Sequence, residues 1–339
     1  MDTPSQPSVN KRHHHTKYRA DIDGLRALAI VPVVLFHAFP SKLSGGFVGV
    51  DIFFVISGFL ISSIIFRELQ QGSFSFLNFY SRRVRRIFPA LSLVLATTLL
   101  FGWFSLDADE YKMLGKHVAA GVGFVQNFIL WGEVDYFDIK SELKPLLHLW
   151  SLAIEEQFYL LFPLITWLAW RCGWNLFFLI SLIAIASFAV NLYSVRIDPV
   201  GTFYFPHTRI WELIAGSMLA YVVLKSNTIA QQTAVNAPSA SVVEDYKPNK
   251  SILSWIGLGL IIIATFVFDK NHHYPGWRAI LPVLGAVLII YAGQDSWVNR
   301  HILGNKLVIF IHYQISNVRH IYFTQSHSRV LQFYTNASK

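Results

Sequence analysis

The sequence predicts an all-α polytopic membrane protein, a bundle of about ten transmembrane helices of which the last is incomplete. Three observations carry that reading. Of 339 residues, 53% are hydrophobic and 15% aromatic, and only 14% are charged, where soluble domains carry about 25% charged residues. Mean hydropathy is +0.43. Apolar runs of spanning length recur along nearly the whole chain, separated by polar and basic stretches. An isolated strand cannot satisfy its backbone in lipid, so the runs are read as helices.

In chain order, candidate spans fall near 22–39, 47–66, 87–106, 113–131, 151–170, 176–195, 210–224, 252–268 and 279–293, and 302–311 begins a tenth. The stretch 113–131 contains Lys116, His117 and Gln126, so a re-entrant or amphipathic helix fits it equally well. Residues 225–250 are rich in Ser, Ala, Asn and Gln and read as a loop or linker. The first run is not a signal peptide. Asp21, Asp23 and Arg26 stand at its start, and its end lacks a small-residue cleavage pattern. After Ile311 the chain turns polar and basic. No repeat of 20–50 residues and no soluble second domain is evident.

Charge sets the orientation. Lys11, Arg12, Lys17 and Arg19 precede the first span, and "RRVRR", 82–86, lies two spans later, so both face one side. By the positive-inside rule that side is the cytoplasm, and the acidic "DADE", 107–110, faces out. The net charge of +8 lies between apolar runs rather than over one face, which argues against a nucleic-acid partner. Cys172 is the only cysteine, so an internal disulfide and a thiolate metal cluster are excluded. The triplet "HHH", 13–15, reads as solvated tail, and no metal is expected.

Five stretches carry side chains that an apolar bundle does not need. In "GLRALAIVPVVLFHA", 24–38, Arg26 and His37 are eleven residues apart. Eleven steps return to the same helix face, roughly 16 Å along the axis. Two readings stand. Either Arg26 lies at the interface with His37 deep on the same face, where ionisable groups mark function, or Arg26 is a snorkelling anchor and His37 marks the far boundary near Pro40. In "GGFVGVDIFFVISGFLI", 45–61, Asp51 either caps a helix start or needs a partner within the bundle. In "FYSRRVRRIFPAL", 79–91, Arg82, Arg83, Arg85 and Arg86 match phosphate oxygens, of lipid headgroups or of a cofactor. In "LLHLWSLAIEEQFYLLFP", 146–163, His148, Ser151, Glu155 and Tyr159 share one face, and Glu156 points elsewhere. In "PHTRIWELIAGSMLA", 206–220, Arg209 and Glu212 form an i,i+3 pair that would hold bundle geometry.

Taken in order, these five stretches resemble the acyltransferase-3 family of bacterial membrane O-acyltransferases, which includes O-antigen and Nod-factor acetylases. The likeness runs over roughly residues 18–311. It implies acetyl-CoA as donor, a carbohydrate or lipid-linked glycan as acceptor, and a multi-pass place in the bacterial inner membrane with the N-terminus cytoplasmic. The family's Arg–ten residues–His motif falls on Arg26 and His37, its arginine-pair motif within Arg82, Arg83, Arg85 and Arg86, and its glutamate motif on Glu155 and Glu156. The expected organisation is a cytoplasmic tail over 1–19, a transmembrane acyltransferase domain over 20–311, and an atypical polar tail over 312–339. Similar proteins continue past "KLVIFI" into a further apolar helix, so the tail reads as a truncation or frameshift.

The resemblance gives the candidates their roles. His37 takes the acceptor's hydroxyl proton, or carries the acyl group covalently. Arg26 stabilises charge on the thioester oxygen or holds a phosphate. The four arginines grip the donor's phosphates. Glu155 orients His37 or His148, or helps bind the acceptor, with Asp51, His148, Glu156, Arg209 and Glu212 in support. The acceptor is expected to be a cell-surface carbohydrate such as lipopolysaccharide O-antigen or exopolysaccharide. A glycan transporter or flippase and an inactive, truncated family member are the competing readings.

Overall fold

A computed structural model describes residues 18–39, 43–133, 146–236, 250–269 and 273–318. Every regular element among them is helical. Helix α1, Ala20–Ala38, carries Asp21 and Asp23 in its first turn, where the helix dipole favours acids. A 3₁₀ turn at Gly46–Val48 leads into α2, Gly49–Gln70. Ser75 caps α3, Phe76–Ser105, by accepting from the Asn78 N–H. Asp107 and Glu110, part of the acidic "DADE", form a capping box that starts α4, Ala108–Val122. The chain then turns through Gly123–Val125 into α5, Gln126–Gly132.

Next come α6, Leu149–Arg171, and α7, Leu176–Ser194, the latter capped by Asn175. The short α8, Pro199–Tyr204, precedes α9, Pro206–Asn236. Helix α10, Ser251–Val267, is followed by a 3₁₀ turn at Gly276–Ala279 and α11, Ile280–Ala292. A π-helical turn, Val298–Leu303, leads to α12, Lys306–Val318.

Helix α2 is the axis of the bundle. A methyl group at Gly58 would collide with the Leu213 carbonyl, so α9 lies directly against it. Ser62 donates to Ser217 at 2.7 Å, one turn further along both helices, so α2 and α9 run parallel. Helix α6 runs parallel to α2 as well, with Phe54 on Trp150 near one end and Phe66 on Phe162 near the other. Helix α1 is antiparallel to α2, Gly49 abutting the Ala29 carbonyl. Helix α3 is antiparallel to α6. Tyr80 donates to the Leu160 carbonyl at 2.9 Å, and Phe76 packs on Trp167.

The outer faces are apolar. Leu93, Leu100, Trp103 and Phe104 on α3, Leu160, Leu164 and Leu168 on α6, and Phe178, Leu182 and Ile185 on α7 are all exposed. Faces of that extent belong in lipid rather than water. Four segments, Gly46–Gln70, Phe76–Ser105, Leu149–Arg171 and Leu176–Ser194, are long and apolar enough to cross a membrane. The protein is therefore a membrane protein, all-helical among the described residues.

The expected count of about ten spans is not reached among the described residues by length and apolarity. Helix α1 places Asp21, Asp23 and Arg26 within 19 residues. Helix α10 has 17 residues and α11 has 13, both below the ~20 that a span needs. The stretch 113–131 is two helices of 15 and 7 residues, broken where Phe124 takes φ 52°. Phe88 of α3 packs on Phe124, while Trp131 reaches Asp198 and Phe205 beside the start of α9. The segment thus goes in with α4 and returns with α5. The stretch 302–311 is split by the π-helical turn. The linker expected from 225 is helical to Asn236, as a continuation of α9. The tail before Tyr18, with its histidine triplet, and the residues after Val318 lie outside the described residues.

Candidate active site

Three groups of polar side chains sit within this apolar bundle. The most buried joins α2, α9 and the segment leading to α11. Arg209 Nη2 lies 3.0 Å from Asp51 Oδ1, and its Nη1 lies 3.2 Å from Glu212 Oε1. The Tyr274 hydroxyl donates to Asp51 Oδ2. The three charged side chains are fully buried. The Arg209 guanidinium is also ringed by Phe54, Phe203 and Trp150 at 5.5, 5.4 and 5.9 Å. The expected Arg209–Glu212 pair is thus present. Asp51 faces Arg209 and Tyr274 rather than capping a helix. Tyr274 was not singled out from sequence. It sits in a short polar stretch without periodicity, and the only signal for it is that a buried Asp51 demands partners.

The second group lies between α2, α3 and α6. Glu155 Oε2 accepts from Ser57 at 2.8 Å and from Tyr159 at 2.9 Å. The guanidinium of Arg83, half-buried, lies 5.2 Å over the Tyr159 ring. Glu156 feels the charges of Glu155, Arg83 and Arg86. Its Oε1 is buried with no hydrogen-bond partner. Helical spacing divides the four arginines. Arg83 and Arg86 act on α6, Arg82 pairs with Glu68 of α2 at 2.7 Å, and Arg85 is exposed. His148 is exposed just before α6, and its carbonyl accepts from Ser151 at 3.3 Å. Of the face expected from sequence, Glu155 and Tyr159 meet directly.

The third group is on α1. Arg26 Nη1 lies 3.1 Å from Asp23 Oδ1, and Tyr18 donates to Asp23 Oδ2 at 2.6 Å. That hydrogen bond to the Asp23 carboxylate holds the Tyr18 phenol well above its ordinary pKa. His37 is exposed near the end of α1, with Nδ1 2.7 Å from the Val33 carbonyl. His37 thus stands in the last turn of α1. A ring nitrogen facing a carbonyl must carry the proton, which leaves Nε2 as the lone-pair nitrogen of neutral His37.

Register separates these groups. Ala29 meets Gly49. His37 is eight residues from Ala29 toward one end, and Ser57, which holds Glu155, is eight residues from Gly49 toward the other. At 1.5 Å per residue, His37 and Glu155 are about 24 Å apart along the bundle. Glu155 is therefore out of reach for orienting His37. Arg26 and His37 are about 16 Å apart on one helix and cannot act on the same carbonyl.

A smaller network ties α4 to α5. His117 Nε2 lies 3.1 Å from Glu133, Gln126 Nε2 lies 2.8 Å from His117 Nδ1, and Lys116 pairs with Glu133 at 2.7 Å. Among the described residues, no three His, Cys, Asp or Glu side chains gather to hold a metal ion.

Comparison with known proteins agrees with these motifs. A family model described as an acyltransferase domain, that of the acyltransferase-3 family, matches residues 19–312. An uncharacterized protein of Haemophilus influenzae is 35% identical over 73% of this chain and 98% of its own length. The peptidoglycan O-acetyltransferase OatA of Listeria monocytogenes is 37% identical over 80% of this chain and 44% of its own length. The O-acetyltransferase OatA of Staphylococcus aureus is 35% identical over 66% of this chain and 37% of its own length. The chain thus spans less than half the length of these two named relatives. No solved structure matches. The chain belongs to the acyltransferase-3 family, whose members are acyltransferases of groups other than amino-acyl groups.

Proposed function

We propose that this chain is a membrane O-acyltransferase that moves an acetyl or related acyl group from a coenzyme A thioester to a hydroxyl of a cell-surface carbohydrate. Peptidoglycan, named for one relative, joins O-antigen and exopolysaccharide as an acceptor of the right chemistry. The observation that carries the proposal is His37, exposed at one end of the bundle with Nδ1 tied to the Val33 carbonyl and Nε2 left to accept a proton.

The chemistry then divides between the two ends. Arg83 and Arg86, with Arg82 and Arg85 beside them, hold the donor's phosphates at the cytoplasmic end. Glu155, which accepts from Ser57 of α2 and from Tyr159, ties α6 to α2 beside them. Arg26 supplies a further positive charge between the two ends and suits a phosphate better than the reacting carbonyl. At the other end His37 Nε2 removes the proton from the acceptor hydroxyl as that oxygen attacks the thioester carbon. The carbon–sulfur bond breaks, the thiolate leaves, and the proton passes from His37 to the sulfur. The place is the bacterial inner membrane, with the N-terminus cytoplasmic.

Membranes containing this chain are expected to transfer label from radiolabelled acetyl-CoA to glycan. His37→Ala should lower that transfer by ~10²–10⁴, the usual worth of a positioned general base. Equal transfer by both chains would remove His37 from the reaction.

A further inference from the structure

An opening lies at the His37 end of the bundle. A cavity of about 570 Å³ sits between the end of α7 and the segment before α11, lined by Arg196, His273, Gly276, Trp277 and Arg278 with Leu192 and Val195. Its size falls within the ~300–1,000 Å³ of ligand pockets. Contacts between rings fix which end this is. His37 stacks edge-on to Phe36 at 5.2 Å, Phe36 to Phe47 at 5.7 Å, and Phe47 to Tyr274 at 4.6 Å. Tyr274 directly follows the lining residue His273.

The cavity is built on a fixed base. Tyr274 is anchored by its bond to the buried Asp51. Gly276, at φ 49°, packs against Val195 in a conformation that suits glycine. The residues just beyond, Trp277 and Arg278, are thereby held out over the opening. Trp277 is 56% exposed. The Arg278 guanidinium lies 5.2 Å over its ring and donates to the His273 carbonyl at 3.1 Å. One donor is used, the plane is fixed, and the remaining N–H groups are left to an oxyanion. Arg196 adds an exposed cation to the half-buried Arg278, and no acidic residue is among the lining side chains.

An indole face, two guanidiniums and the end that holds His37 have one chemistry in common. Resting on the acyltransferase reading, we propose that this cavity binds the acceptor carbohydrate and selects a sugar unit bearing a carboxylate. The ring of the sugar lies on Trp277, and the carboxylate is held by Arg278 and Arg196. A phosphatidylglycerol headgroup offers a phosphate to the same cations but no polar ring to lie on an indole, which favours the saccharide.

The test uses the full chain, purified in a neutral detergent, and calorimetric titration with a hexuronic-acid oligosaccharide and its carboxyl-reduced counterpart. The acidic form should bind about tenfold or more tightly than the reduced one, as expected for charge-assisted hydrogen bonds. Arg278→Gln should shrink the difference, Arg278→Gln with Arg196→Gln should abolish it, and Trp277→Ala should weaken both ligands. Equal binding of the two sugars, or an acid preference that survives Arg278→Gln with Arg196→Gln, overturns the proposal. So does Arg278-dependent binding of phosphatidylglycerol with none of the sugar. Acid-selective binding without acyl transfer to any acceptor would keep this cavity and remove the enzymatic reading. Unchanged transfer to the acidic acceptor in Arg278→Gln with Arg196→Gln would do the reverse.

Discussion

The Asp51–Arg209–Glu212–Tyr274 cluster and the Arg83–Arg86–Glu155–Glu156 cluster use similar residues to opposite ends. In the first, every charged side chain is fully buried, and one guanidinium is enclosed by two carboxyls, a phenol and aromatic rings. In the second, Arg83 is half-buried and Arg86 is exposed. Charges that close on each other hold helices together, and charges left open toward a surface are available to a substrate. The cost of removing one member should differ accordingly.

The largest effect is expected at Arg209. Arg209→Met leaves two buried carboxyls without their cation, at a cost of about 3–5 kcal/mol. Thermal melting in detergent should show most of the folded protein lost. A triple change that also converts Asp51 and Glu212 to apolar residues should recover much of it. If the single change leaves the melting curve where it was, the closed cluster does not hold the bundle.

A smaller loss is expected from Tyr274→Phe, which strips one donor from the buried Asp51 at about 1–3 kcal/mol. If the cavity at the His37 end rests on this anchor, sugar binding should weaken together with stability. A fall in stability with binding untouched would separate the two. The smallest effect belongs to the exposed Arg82–Glu68 pair, where Arg82→Ala should move stability by about 0–1 kcal/mol in the same melting assay. A larger shift would place Arg82 with the closed cluster rather than the open one.

Much of this was legible from particular residues. Arg209 and Glu212 are three apart on a helix, so their pairing needs only helical periodicity. The division of "RRVRR" into Arg83 and Arg86 against Arg82 and Arg85 follows from the same period. What the sequence hides is register between distant segments. Tyr274 meets Asp51 across 223 residues. The place of His37 relative to Glu155 depends on Gly49 meeting Ala29. The break at Phe124 was also concealed, because apolar residues continue through it. Helix α9 overruns the expected linker because Ala, Gln and Lys near its end are good helix formers.

The most direct test of the contrast is donor kinetics measured per folded molecule. Acetyl-CoA saturation curves should be compared for the parent chain and Arg83→Gln, with the folded fraction taken from melting. Loss of a charge-assisted phosphate contact should raise KM by about tenfold or more while the folded fraction stays within experimental error. An unchanged KM accompanied by loss of folded protein would contradict it, because Arg83 would then belong, like Arg209, to the scaffold.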